Sequence, residues 1–195
     1  MATYQTYTSI GQREDLSDVI YQISPTDTPF MSSIGKAKAT ATNHEWQTDA
    51  LASASLTNYA VEGDTASDAT LGVTTRVGNK TQISQKTVKI SGTLEAVDKA
   101  GRKSEKAYQL AKASAEIKRD METTLLSNQI STNGSSSSAR KLGGLQAWLA
   151  TNYSGGTSGV AGASGTTART NGTNRTGTED IMKAVIKSVY SAGGN

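Results

Sequence analysis

No cysteine occurs among the 195 residues, which rules out both a disulfide framework and a thiolate metal site. The single histidine, His44, falls in a predicted strand beside Trp46 without Ser/His/Asp or Cys/His company, so it reads as a structural or solvated side chain and not as part of a nucleophilic site. Aromatics are scarce, with one Phe, two Trp and seven Tyr, and hydrophobic residues make up 35% of the chain, so any core is modest. No apolar run approaches membrane-spanning length, and ATYQTYTSIG after Met1 has neither a basic stretch nor an apolar centre, so neither anchor nor secretion signal is expected. Nucleotide-binding signatures are missing too: there is no G-x-x-x-x-G-K-[ST] and no strand-linked G-x-G-x-x-G.

What the chain does have is glycine, 19 residues, and long Ser/Thr/Asn tracts, the composition of a protein that completes its folding against neighbours. Its charge is unevenly spread. Residues 1 to 75 carry nine acids and three bases, whereas residues 76 to 195 carry eight acids and 17 bases, or −6 against +9. That asymmetry suits an acidic front lying on the basic rear of another copy, and equally suits two separately solvated surfaces.

The longest periodic stretch, Ser104 to Asn128, repeats Leu110, Ile117, Met121 and Leu125 at helical spacing, with Ala107 and Ser114 on the same face. It predicts an amphipathic helix of roughly 35 Å. Gly101 predicts a kink or helix start, after a short helix from Leu94 to Ala100. Upstream, Leu16, Val19, Ile20 and Ile23 share one face of a short helix, and Thr28-Pro29 opens a second helical turn through Ile34, stopped by Gly35.

Residues 36 to 51 and Val73 to Ser91 alternate as extended strands joined by 21 small and polar residues. They predict a long, mostly solvated hairpin with a mobile tip. Apolar residues in the second strand change parity between Ile83 and Val88, which predicts a bulge, twist or change of partner there. Leu142, Leu145, Trp148 and Leu149 form a short apolar patch; Asn152 to Gly177 reads as a flexible surface loop. A final helix is capped by Thr178, with Glu179 and Asp180 in its first turn, Lys183 and Lys187 in its last turns, and Gly193-Gly194 behind it. So apolar a helix at the end of the chain reads as one cut off before its packing partner.

Catalytic chemistry finds little support. Glu62, Asp64 and Asp68 could supply oxygen ligands to Ca²⁺, but EGDTASD lacks the D-x-D-x-D-G alternation, so a solvated loop is favoured. Lys99, Arg102, Lys103 and Lys106 make a basic cluster diluted by Glu95, Asp98 and Glu105, without interleaved aromatics for base stacking. Asn-x-Ser/Thr matches at Asn133, Asn152, Asn171 and Asn174 are expected by chance in such tracts.

The ordered set Pro25 with Thr28-Pro29-Phe30, Trp46 with Asp49, Glu62-Gly63, the run Asn79 to Ile83, and Glu105, Gln109, Lys118, Arg119 and Glu122 resembles the major capsid proteins of tailed bacteriophages with the Hong Kong 97-type fold. The resemblance runs in order over essentially the whole chain. It implies an α+β fold with an N-terminal arm (1–35), a long β-hairpin E-loop (36–92), a P-domain with its spine helix (93–141) and the start of an A-domain (142–195) that appears incomplete at Asn195. It further implies hexamers and pentamers of an icosahedral head around double-stranded DNA held by non-specific contact. Portal, scaffolding or decoration proteins are further expected partners; no membrane, cofactor, metal or enzymatic turnover is expected. The location would be the virion capsid, after assembly in the bacterial host cytoplasm. Arg13, Asp15, Asp18, Trp46, Arg76, Lys112 and Arg119 are the candidate inter-subunit contacts. The competing reading is an extracellular or tail-fibre adhesive protein, suggested by the Ser/Thr/Gly/Asn tracts and extended strands.

Overall fold

The computed structural model describes residues 20, 25–65, 68 and 71–194, and mixes helices with one small sheet. The helix expected around Leu16 to Ile23, and with it Arg13, Asp15 and Asp18, lies outside the described residues. Two compact units divide the chain: Met1–Ser33 with Ser84–Met121, and Ile34–Ile83 with Glu122–Asn195.

In the first unit, α1 spans Pro29–Ser33. Proline opens it because its fixed φ suits the first helical position, and Ser32 returns both its amide (3.1 Å) and its hydroxyl (2.8 Å) to the Thr28 carbonyl. The short α2, Gly92–Ala96, is capped by the Ser91 hydroxyl, which accepts from the Leu94 amide. Gly101 follows at φ 76°, a left-handed turn that glycine adopts without a Cβ clash, and α3 then runs from Glu105 to Leu126. Ser104 caps α3 by accepting from the Ala107 amide at 3.1 Å.

The apolar row predicted for α3 is not its buried face: Leu110 is 60% exposed, and among the described residues of this unit the buried apolar one is Ala113. The buried polar side chains of α3 are Glu105 and Glu122, neither of which lies on the predicted apolar row. A small residue at 113 allows residues 86–91 to lie close along the helix, where Lys86 reaches Glu116 at 3.0 Å and Asp120 at 3.4 Å.

In the second unit, β1 (Asn43–Thr48) pairs antiparallel with β2 (Thr75–Lys80), in a register running from Asn43↔Lys80 to Thr48↔Thr75. Both strands are shorter than expected. The ladder closes at Thr81, whose amide reaches the Thr42 carbonyl at 2.9 Å, and the unit boundary falls between Ile83 and Ser84. The parity change predicted between Ile83 and Val88 therefore marks a change of partner, from strand to helix.

The stretch expected as a flexible loop, 152–177, is instead internally paired: Val160 bridges Thr170 and Ala163 bridges Thr167, with Gly162 and Gly165 buried. Glycine lets backbones approach here where any side chain would collide. A Cβ on Gly165, whose φ is 69°, would stand 2.6 Å from the Trp148 indole.

Helix α4 spans Leu145–Trp148 and carries Ala147, the one buried apolar residue among the described residues of this unit. Helix α5 spans Glu179–Ser191. Thr178 holds the N-cap position without a side-chain hydrogen bond, and no basic residue occupies the last turn, because the helix outruns Lys187 by four residues. Lys183 pairs instead with Glu179 one turn earlier, at 2.8 Å. The helix ends in a Schellman arrangement, Gly193 N–H on the Tyr190 carbonyl and Gly194 N–H on that of Val189, both at 3.0 Å, with Gly193 at φ 85°.

Candidate functional site

Between β1 and β2 the chain makes an excursion whose large apolar side chains meet almost nothing. Leu51 and Leu56 are 100% and 99% exposed, and Tyr59, Val61, Leu71 and Val73 are also exposed. Apart from Thr74 Oγ1, which donates to Gln47 Oε1 beside the ladder, the side-chain hydrogen bonds among its described residues are local: the Asp49 carboxylate accepts from Ala50 N–H, Ser55 from Thr57 N–H, and Asp64 from Thr65 N–H. A solvated hydrophobe costs roughly 25 cal/mol per Å² of apolar surface, so this excursion stores a driving force for contact that its own unit leaves unused. Glu62, Asp64 and Asp68 do not gather into a cation site, since no group of three or more His, Cys, Asp or Glu side chains converges among the described residues.

The root of the ribbon is held very differently. Asn79 Nδ2 donates to the Gly143 carbonyl at 3.0 Å while its Oδ1 accepts from the Gly143 amide at 2.7 Å, so the carboxamide pairs with that residue as a strand neighbour would. Gln82 Oε1 accepts from Gln129 Nε2 (2.9 Å) and Leu142 N–H (3.2 Å), and Gln129 Nε2 also donates to the Leu142 carbonyl (2.8 Å). Arg140 Nε donates to the Thr81 carbonyl at 2.6 Å.

Beside these bonds, Trp46 of β1 stacks on Trp148 of α4, with centroids 5.2 Å apart and planes at 29°. His44 stands 5.9 Å from Trp46, with the two rings tilted by 39°. A second two-bond clasp, Asn128 on Arg169 (2.6 and 2.7 Å), ties the segment after α3 to the glycine-rich stretch.

In the first unit the notable electrostatics sit at the start of α3. The Glu95 carboxylate accepts from Ser104 Oγ (2.6 Å) and Lys106 N–H (3.1 Å), and these bonds hold its pKa below the ordinary value. Glu105, 4% exposed, accepts from Gln109 Nε2 (2.7 Å) and from Arg102 Nε, and its pKa is lowered by the same two partners in that order. Arg102 also lies 5.3 Å from the Tyr108 ring centroid. Lys86 has its pKa raised, chiefly by its bond to Glu116. These groups lock a helix start and a strand-like segment to α3.

Of the candidate contact residues, Trp46 is half-exposed at the ribbon root. Arg76 pairs with Glu45 across the ladder at 3.6 Å, and Lys112 stands 4.0 Å from Glu116 on α3. Arg119 lies on the exposed side of α3. The structure does not bring these residues into one patch within a unit: Trp46 and Arg76 belong to the second, Lys112 and Arg119 to the first. The residues that build the ribbon root, Gln82, Gln129, Arg140 and Gly143, were not singled out for that role, although Asn79 to Ile83 was among the resemblance-bearing runs. The available signal was a set of neutral amides, Asn79, Gln82 and Gln129, facing the Leu142-Gly143 backbone, with a glycine where Asn79 makes its close approach.

The profile of the SU10 major capsid protein family matches residues 2–195. The chain belongs to that family. It is also 42% identical, over 130 residues, to a major capsid protein of Escherichia phage Phieco32; the match covers 67% of this chain and 37% of the relative, so it spans little more than a third of the relative's length. The exposed excursion and the hydrogen-bonded root that holds its ribbon make up the candidate site. Among the described residues, no helix is long and apolar enough to cross a membrane.

Proposed function

We propose that this chain is a structural subunit of a phage head that works by assembly and not by turnover, with the excursion between β1 and β2 laid on a neighbouring copy. The observation that carries this reading is the set of large, exposed apolar side chains from Leu51 to Val73 on a hydrogen-bonded ribbon, in units whose only buried apolar residues, among those described, are Ala113 and Ala147. Family membership supports the same reading.

In finer detail, the chain carries the Hong Kong 97-type arrangement: arm 1–35, E-loop 36–92, P-domain 93–141 with α3 as its spine, and A-domain from 142. Copies assemble into hexamers and pentamers of an icosahedral shell enclosing double-stranded DNA through non-specific contacts. Trp46, Arg76, Lys112 and Arg119, with Arg13, Asp15 and Asp18, serve as contacts between copies. Assembly takes place in the host cytoplasm, with portal, scaffolding or decoration proteins as further partners.

Full-length protein examined by sedimentation velocity and electron microscopy tests this: capsomers or closed shells are expected. A protein that stays monomeric at all accessible concentrations, or that forms only filaments, would overturn it.

A further inference from the structure

We propose that Asn79 and Gln82 are positioning residues that set the direction in which the β1–β2 ribbon leaves the second unit. The inference rests on the assembly reading above and adds to it the device that aims the ribbon. A two-stranded ribbon without a supporting surface is marginal by itself, so its direction depends on what grips its base. Here the grip is polar. Asn79 holds Gly143 through both its donor and its acceptor, Gln82 takes Gln129 Nε2 and Leu142 N–H on one oxygen, Arg140 holds Thr81, and the Trp46–Trp148 stack closes the other edge.

These bonds have fixed directions, unlike apolar contacts, and five of them at one end of a ribbon leave it little freedom to pivot. Gly143 is required as the recipient: a Cβ there would fall 2.8 Å from the Gly165 carbonyl oxygen and 3.1 Å from Trp148 Nε1. The two amides also differ in what they must be. Asn79 uses donor and acceptor, so it must stay a carboxamide. Gln82 uses only its oxygen, so a carboxylate serves in its place.

The chain has no cysteine, so Ala50→Cys beside the ribbon and Ala168→Cys in the glycine-rich stretch give a clean spin-label pair in the full-length protein. The distance distribution is expected to be narrow in otherwise unaltered protein and in Gln82→Glu. It is expected to broaden in Asn79→Asp and in Gln82→Met. The Gly143 amide, whose acceptor is Asn79 Oδ1, is expected to exchange roughly tenfold faster in Asn79→Leu, which removes that acceptor, about the loss of one hydrogen bond. Shells from the two broadened variants are expected to be irregular.

Ser154→Ala, which removes the acceptor of the Arg175 guanidinium away from the ribbon, is expected to leave the distribution narrow. A distribution that stays narrow in Asn79→Asp, or that broadens equally in Ser154→Ala, overturns the proposal. If Asn79→Asp does not fold, a narrow distribution in Gln82→Met does so instead. If the unaltered full-length protein makes no shells, the assembly reading falls, while the label distances and exchange rates still decide the role of the two amides.

Discussion

Leu56→Ala combined with Leu71→Ala separates assembly from folding. Both side chains stand in solvent on the excursion between the strands, Leu56 at 99% exposure. Truncation removes little contact among the described residues, so the unfolding free energy should move by no more than about 0.5 kcal/mol, as for surface substitutions generally. On a neighbouring copy, each leucine loses three carbons of burial at roughly 0.8 kcal/mol apiece, a little over 2 kcal/mol if fully covered. Half coverage brings this to about 1 kcal/mol each and about 2 kcal/mol for the pair. At about 1.4 kcal/mol per decade, the concentration needed for assembly rises roughly 30-fold. Light scattering across a dilution series of full-length protein, with thermal unfolding of the unassembled form alongside, reads both quantities. Assembly at an unchanged concentration, or a loss of fold stability above about 1 kcal/mol, would refute the reasoning.

Three further outcomes follow from the same geometry. Lys86 has a folded pKa raised above its ordinary 10.5, so its contribution is complete below that value and lost as pH rises through the folded pKa; Lys86→Gln should be less stable than unaltered protein at neutral pH, and the two should converge in strongly alkaline melts. Glu105 has a folded pKa below its ordinary 4.5, so its contribution is complete above that value and lost as pH falls through the folded pKa; Glu105→Gln should flatten the acid limb of the stability curve. Gly165→Ala forces a Cβ onto the Trp148 indole at φ 69° and should cost about 1–3 kcal/mol, with a changed near-ultraviolet signal from the tryptophan pair.

Local rules made α1, α3 and α5 legible: Thr28-Pro29, Ser104 after Gly101, and Gly193-Gly194 each act within a few residues of themselves. The ribbon was legible as a pair of alternating segments, but its ends were not, because alternation continues past Lys80 where the backbone has no strand to pair with. The face of α3 was misjudged for a related reason. Periodicity ranks residues by hydropathy, whereas Glu105 is buried because Arg102 and Gln109 satisfy it, and Leu110 stays 60% exposed in an open groove that Val88 and Ile90 line without closing. The glycine-rich stretch reads as flexible by composition. It is ordered because glycines at 143, 162 and 165 let backbones meet, a relation between distant residues that composition does not encode.

The same contrast explains why a protein with so few buried hydrophobes keeps so much polar structure. Leucine used inside the second unit would stabilise that unit but could not also stabilise a contact between copies. Asn79, Gln82, Asn128 and Gln129 instead hold their unit by hydrogen bonds, each net worth about 1 kcal/mol and tied to one geometry. The large apolar side chains stay outside, where burial by a neighbour stabilises the assembly in proportion to area. Under this division of labour, exchanging the two classes should uncouple the functions: weakening the amides changes where the ribbon points, and trimming the leucines changes how strongly it holds.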